Sequence, residues 1–383
     1  MVNVDAFARE SGRWVPPLGG QDSMRAELQT HARQVLIWLT AILLAALTQV
    51  VPAVAADYVV GTRQLTFVDE TRQVKPGPGF AGAPERRLDV ILWYPAKADA
   101  DGLSEAPQLA GDGPWPLVIY SHGTFGRADN ATHLVADLVR HGYVVAAPNY
   151  PLTSSTSYTG VKQAQLSDVI EQTRDVRFVI DRLLADEFIG PAIDKAKIGT
   201  TGHSLGGVTS YFTSFGLQTR DPRIAATAMI GAGDPVQSAL SQDMGLAGTA
   251  HAAVSVPALF LSAEKDVFAR MTGRPHAAYS RIEKPKYEIM IKGGVHVWFR
   301  DGNTQTMDFK NPDCLFFEKW APGMAVPGCE ERVPLIGPAK QQEITRVAIR
   351  SFFDAYLKGD DDALARLRGL EREFAAIDLT YDD

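Results

Sequence analysis

The chain is 383 residues long, 45% hydrophobic and 22% charged, the composition of an ordinary globular protein large enough to bury a substantial core. Its 38 basic and 45 acidic side chains give a formal charge of −7 and a sequence pI near 5.7, which argues against nucleic acid or an anionic membrane surface as partner. No internal repeat is visible, and no H-E-x-x-H, C-x-x-C or phosphate-loop pattern calls for a metal or cofactor.

The N-terminus reads as a targeting segment. From Met24, a basic stretch Arg25 to Gln34 precedes the apolar run Val35 to Val51, and Ala53-Val54-Ala55-Ala56 supplies an A-x-A cleavage pattern. Met24 is then an alternative start. The competing reading is an uncleaved anchor, since about 17 apolar residues lie near the lower limit for spanning a bilayer. The expectation is an extension and signal peptide over 1–56, one catalytic domain over 57–383, and a secreted or periplasmic product with no stable membrane span after cleavage.

Tyr58 to Val68 and Arg87 to Pro95 alternate as strands, separated by a Gly/Pro-rich loop over 70–85. Pro116 to Tyr120 is a short apolar run of the kind buried on both faces of a parallel sheet. After Ser121-His122-Gly123-Thr124-Phe125-Gly126, Asp129 or Asn130 is placed to cap a helix bearing Leu134, Leu138 and Val139, which Gly142 ends. Tyr143 to Ala147 reads as a strand, 149–165 as a Ser/Thr-rich loop and Ser167 to Ala185 as a helix. Lys197 to Thr200 and Ile224 to Ile230 add strands. The pattern predicts a mostly parallel, doubly wound α/β sheet, whose sites lie beyond the carboxyl ends of the strands.

Thr201-Gly202-His203-Ser204-Leu205-Gly206-Gly207 stands between the strand ending at Thr200 and a helical run Val208 to Phe212. In that context G-x-S-x-G reads as a nucleophile elbow, with Gly202 and Gly206 admitting a tight turn while Ser204 projects from the sheet end. A serine hydroxyl needs a base to take its proton and an acid to orient that base. Pro257 to Ser262 is a strand followed by Ala263-Glu264-Lys265-Asp266, and Lys286 to Lys292 is a strand followed by Gly293-Gly294-Val295-His296. Order, type and position favour Ser204, Asp266 and His296, with Glu264 and Asp234 as rivals for the acid. His203 is expected to pack beside the elbow without a catalytic role.

Two N–H donors should face a developing oxyanion: that of Leu205, after the nucleophile, and that of Thr124 in the earlier strand-end loop. Phe125, Trp298 and Phe299 flank these groups and are expected either in the acyl or alcohol pocket or in the core. Cys314 and Cys329 form an even pair in a Pro/Gly-rich stretch; in an oxidising compartment a bridge is favoured over two free thiols, and would stabilise by about 3 kcal/mol on the chain-entropy model.

Leu92-Trp93-Tyr94-Pro95, Tyr120-Ser121-His122-Gly123, Gly202 to Gly207 and Ile291-Lys292-Gly293-Gly294-Val295-His296 together resemble the platelet-activating-factor acetylhydrolase and dienelactone-hydrolase-like branch of the α/β-hydrolase superfamily. The resemblance spans most of 58–358 and extends to a terminal helix through Phe352 to Lys358. It implies an α/β-hydrolase fold and a cofactor-free serine esterase acting on a small-molecule or lipid-like ester through an acyl-enzyme. The eukaryotic phospholipase members carry their acid after the strand that here contains Thr227, which cannot serve, and this favours relatives with the acid one strand later. Ser204 replaces the cysteine nucleophile of dienelactone hydrolases. A lipase or polyester depolymerase, a phospholipase-type acetylhydrolase, an acyltransferase and a non-catalytic binding module of this fold are the alternatives.

Overall fold

A computed structural model of the chain describes residues 58–97, 107–111, 113–160, 163–236, 251–302 and 310–383; the signal segment expected over 1–56 lies outside the described residues. Within the unit Ala55–Asp383, nine strands among the described residues join in one sheet. They are β1 (Val59–Asp69), β2 (Arg86–Ala96), β3 (Trp115–Ser121), β4 (Val144–Asn149), β5 (Ile193–His203), β6 (Ile224–Ile230), β7 (Ala258–Ala263), β8 (Lys286–Ile291) and β9 (Ile377–Asp382). Their order across the sheet is β1-β2-β4-β3-β5-β6-β7-β8-β9. The run from β4 to β8 is parallel, whereas β1, β2 and β9 pair antiparallel with their neighbours.

Side-chain alternation explains why helices cover both faces. In β3, Val118 and Tyr120 enter one hydrophobic cluster while Leu117 and Ile119 enter another; in β4, Val145 and Ala147 divide from Val144 and Ala146 in the same way. Successive strand residues point to opposite faces, so a strand apolar throughout needs cover on each. The helices Thr132–Arg140 and Pro338–Phe353 cover the first face with Leu134, Leu138, Ile344 and Phe352. Helix Val169–Leu184 covers the second with Val176, Val179, Ile180 and Leu183. This is the doubly wound α/β-hydrolase architecture expected from the sequence.

Three local details depart from expectation. Neither Asp129 nor Asn130 caps the helix Thr132–Arg140: Asp129 pairs with Arg127 Nε at 2.8 Å, and Asn130 Oδ1 accepts the Arg127 N–H. The carboxylate of Asp301, far along the chain, accepts from the N–H groups of Thr132 and His133 instead. The helix expected from Ser167 begins as a 3-10 turn, Leu166–Asp168, and becomes α-helical at Val169. Asp168 cannot serve as its cap because its carboxylate is held by the buried Arg86 at 2.9 and 3.0 Å. Beyond Gly359, where the sequence reading gives no element, short helices lead to β9, whose Ile377, Leu379 and Tyr381 alternate with Asp378, Thr380 and Asp382 in register with β8.

Candidate active site

β5 ends at His203 and the next helix begins at Leu205, so Ser204 alone makes the turn. Its φ of 57° and ψ of −120° lie in a region that side chains other than glycine seldom adopt. Surrounding bonds impose it: Ser204 N–H donates to Ile230 O at 2.8 Å, and the N–H groups of Gly207 and Val208 return to Ser204 O. A Cβ on Gly206 would lie 2.0 Å from Ser121 O, and one on Gly202 would lie 2.4 Å from Gly206 O. These clashes are with backbone, which explains the two glycines of the elbow. Every residue of helix Leu205–Phe215 is buried.

Asp266 leaves β7 and caps the helix Val267–Thr272, its Oδ1 accepting the Ala269 N–H at 3.0 Å. Its Oδ2 stands 2.7 Å from His296 Nδ1. His296 follows β8 through Gly293 and Gly294, opens the 3-10 turn His296–Phe299, and stacks on Phe268 with ring centroids 4.2 Å apart. Both residues are buried, and His296 and Ser204 line the same cavity. The rival carboxylates are engaged elsewhere: Glu264 with Lys265 Nζ and the Gly293 N–H, Asp234 in a fork with Arg281.

The loop after β3 lies against the nucleophile. A Cβ on Gly123 would fall 3.0 Å from both Ser204 Cβ and His203 O, so the loop passes close to the elbow. His122 braces the loop: its Nε2 accepts the Tyr150 N–H at 3.1 Å, which leaves the proton on Nδ1 to donate to Gly123 O at 2.8 Å. Burial lowers its pKa to about 4, so the ring stays neutral. Thr124 and Leu205 both line the cavity, and Leu205 opens the elbow helix, where N–H groups lack intrahelical acceptors. His203 donates through Nε2 to His296 O at 3.1 Å; burial, then the neighbouring His296, holds its pKa well below the usual histidine value.

The cavity has a volume of about 220 Å³ and a largely apolar wall that includes Leu166, Val208, Phe268, Phe316 and Phe317. The aromatics that the sequence singles out are not on that wall. Trp298 is fully buried and packs in a cluster with Val295 and Val297. Phe299 is buried beneath His203 at 5.9 Å, and Phe125 sits in the β3 loop at φ 53°. The wall aromatics come instead from the helix that follows the acid and from helix Asp313–Trp320. That second helix is anchored by a Cys314–Cys329 disulfide.

Asp313 escapes a reading by motif. It is fully buried and accepts N–H bonds from Val267, His296 and Val297. Its only sequence signal is a carboxylate beside a bridged cysteine. Among the described residues no group of three or more His, Cys, Asp or Glu could hold a metal ion.

A family model described as chlorophyllase matches residues 103–246, a span that includes Gly123, Thr124 and Ser204 and stops before Asp266 and His296. Among solved structures, a ferulic acid esterase from Streptomyces cinnamoneus superposes with a TM-score of 0.57 at 22% identity, covering 81% of this chain and 93% of that one. No curated protein matches the sequence.

Proposed function

We propose that this α/β-hydrolase-fold chain is a serine carboxylic ester hydrolase with Ser204, His296 and Asp266 as its triad. The observation that carries the reading is the 2.7 Å bond between Asp266 and His296 on a cavity that also holds Ser204 at a strained strand-to-helix turn. The esterase among its structural neighbours supports ester as the substrate class. His296 takes the Ser204 proton as Oγ attacks the ester carbonyl, and Asp266 holds the imidazole with its proton on Nδ1 and stabilises the imidazolium. The N–H groups of Leu205 and Thr124 receive the oxyanion. Collapse of the tetrahedral intermediate returns the proton from His296 to the departing alcohol. His296 then activates water, which releases the acid from the acyl-enzyme.

The apolar cavity supports a small-molecule or lipid-like ester, the acetyl esters of phospholipids among them. Export to an oxidising compartment is part of the proposal, supported by the Cys314–Cys329 bridge. The test is a panel of p-nitrophenyl esters of increasing acyl length, run on wild type and Ser204→Ala, with fluorophosphonate labelling of each. Wild type is expected to hydrolyse the panel and to label, and the alanine variant to do neither. Activity that survives the substitution overturns the assignment, and absence of labelling in wild type favours a binding module.

A further inference from the structure

Asp313 opens helix Asp313–Trp320, yet what it holds is backbone belonging to two other segments. Its Oδ2 accepts the Val267 N–H at 3.2 Å and the His296 N–H at 3.0 Å, and its Oδ1 accepts the Val297 N–H at 2.9 Å. Val267 directly follows Asp266, so one carboxylate bonds to the loop that carries the acid and to the base residue itself. The Asp313 N–H donates to Asn311 Oδ1 at 2.9 Å, and Asn311 Nδ2 donates to Lys265 O at 2.7 Å, which ties the same segment again to the acid loop. The Cys314–Cys329 bridge fixes the adjoining residue.

Burying a second carboxylate beside Asp266 is costly, and the N–H groups it accepts from stand at the starts of a helix and a 3-10 turn, where an uncharged Asn or Ser oxygen caps about as well. A purely structural clamp has no need of the charge. We propose that Asp313 is a positioning residue of the triad: it holds the Asp266 and His296 loops in register and adds a second buried anion that favours the imidazolium formed when Ser204 gives up its proton. This rests on the esterase reading above. Burial, then the Asp266 carboxylate, pushes the Asp313 carboxyl up to about 6, while His296 and the Val297 and His296 N–H groups oppose that rise by favouring its ionised form. The other titratable groups facing this cluster are His203, against His296, and Arg300, whose guanidinium senses Asp313.

The test compares Asp313→Asn with a Cys314→Ala/Cys329→Ala double variant on the best ester of the panel. Asparagine keeps the shape, removes the charge and turns an NH₂ toward N–H donors. It is expected to lower kcat about 100-fold with KM nearly unchanged. The acid limb of the kcat/KM profile should move to lower pH by about one unit, because protonation of the base loses an anionic neighbour. The double cysteine variant should lower Tm and leave the acid limb in place. Wild-type kcat with an unmoved limb in Asp313→Asn overturns the proposal, while loss of activity in Ser204→Ala independently upholds the esterase reading. Should Asp313→Asn fail to fold, Asn311→Ala carries the test by removing the two bonds that tie the Asp313 backbone to the acid loop. A lowered kcat at constant KM is then expected, and an unchanged kcat overturns the proposal.

Discussion

Asp266 divides its carboxylate between two partners, giving Oδ1 to the Ala269 N–H at 3.0 Å and Oδ2 to His296 Nδ1 at 2.7 Å. One side chain thus starts a helix and orients an imidazole, and the two duties separate by substitution. Asp266→Asn keeps an oxygen for the cap but presents an amide that cannot hold the same tautomer and charge at Nδ1. Esterase kcat is expected to fall about 10³–10⁴-fold with Tm near that of wild type. Asp266→Ala should lose activity to a similar degree and, in addition, about 1 kcal/mol of stability from the missing cap. Parallel kinetics and urea unfolding check both, and an asparagine variant with wild-type kcat would remove Asp266 from the proposed triad.

The elbow makes a prediction about folding rather than chemistry. A methyl group on Gly206 would meet the backbone oxygen of Ser121 at 2.0 Å, where the buried elbow helix packs against the end of β3. Gly206→Ala is therefore expected to destabilise by at least about 3 kcal/mol, the upper range for overpacking, and to displace the loop after β3. Denaturant unfolding measures the first effect and fluorophosphonate labelling rate the second. A soluble, wild-type-like alanine variant would show that the turn opens more easily than its geometry indicates.

Chain order and strand ends mark Ser204, Asp266 and His296 as candidates, since each sits where an apolar run gives way to a glycine-rich or acidic turn, and the fold brings Asp266 and His296 to a 2.7 Å bond on the cavity that Ser204 lines. The sheet was legible for the same reason: strands such as β3 and β6 are apolar throughout and bounded by turn residues. What stayed hidden depends on contacts between distant segments. Asp301 caps a helix that starts 169 residues earlier, and Asp313 bonds to His296 across 17 residues; no local pattern marks either. The place of the aromatics, left open between pocket and core, was undecided for a related reason. Nearness to His296 along the chain suggested Trp298 and Phe299, whereas the rings on the wall, Phe268, Phe316 and Phe317, come from two helices that the fold brings there.

The pair His133 and Asp301 gives a pH-dependent prediction. Burial alone would raise the Asp301 carboxyl, but bonds from His133 at 2.6 Å and from Thr132 outweigh it and hold the group at about 2, below its ordinary 3.8. A folded-state value below the unfolded one means stability that is present above about pH 4 and lost as pH falls toward 2. Asp301→Asn should therefore have a lower Tm than wild type at pH 5 to 7, with the gap closing below pH 4. Thermal melts across that range check it. A gap that persists at pH 2 would assign the effect to shape rather than charge.

Which rings bound the cavity can be read from selectivity. Phe317 packs on Phe268 at 4.6 Å and on Phe316 at 5.7 Å, and all three line the cavity that holds Ser204. Replacing Phe317 by leucine removes aromatic volume from that wall and should shift the ester panel toward longer or bulkier acyl groups. The ratio of kcat/KM between long and short substrates is expected to rise about 10-fold, the scale at which a pocket senses one or two methylenes. Trp298→Phe supplies the contrast, because its ring lies wholly in the cluster with Val295 and Val297. It should lower stability by about 1–3 kcal/mol while leaving the selectivity ratio near wild type. A selectivity change in Trp298→Phe with none in Phe317→Leu would reverse the assignment of the wall.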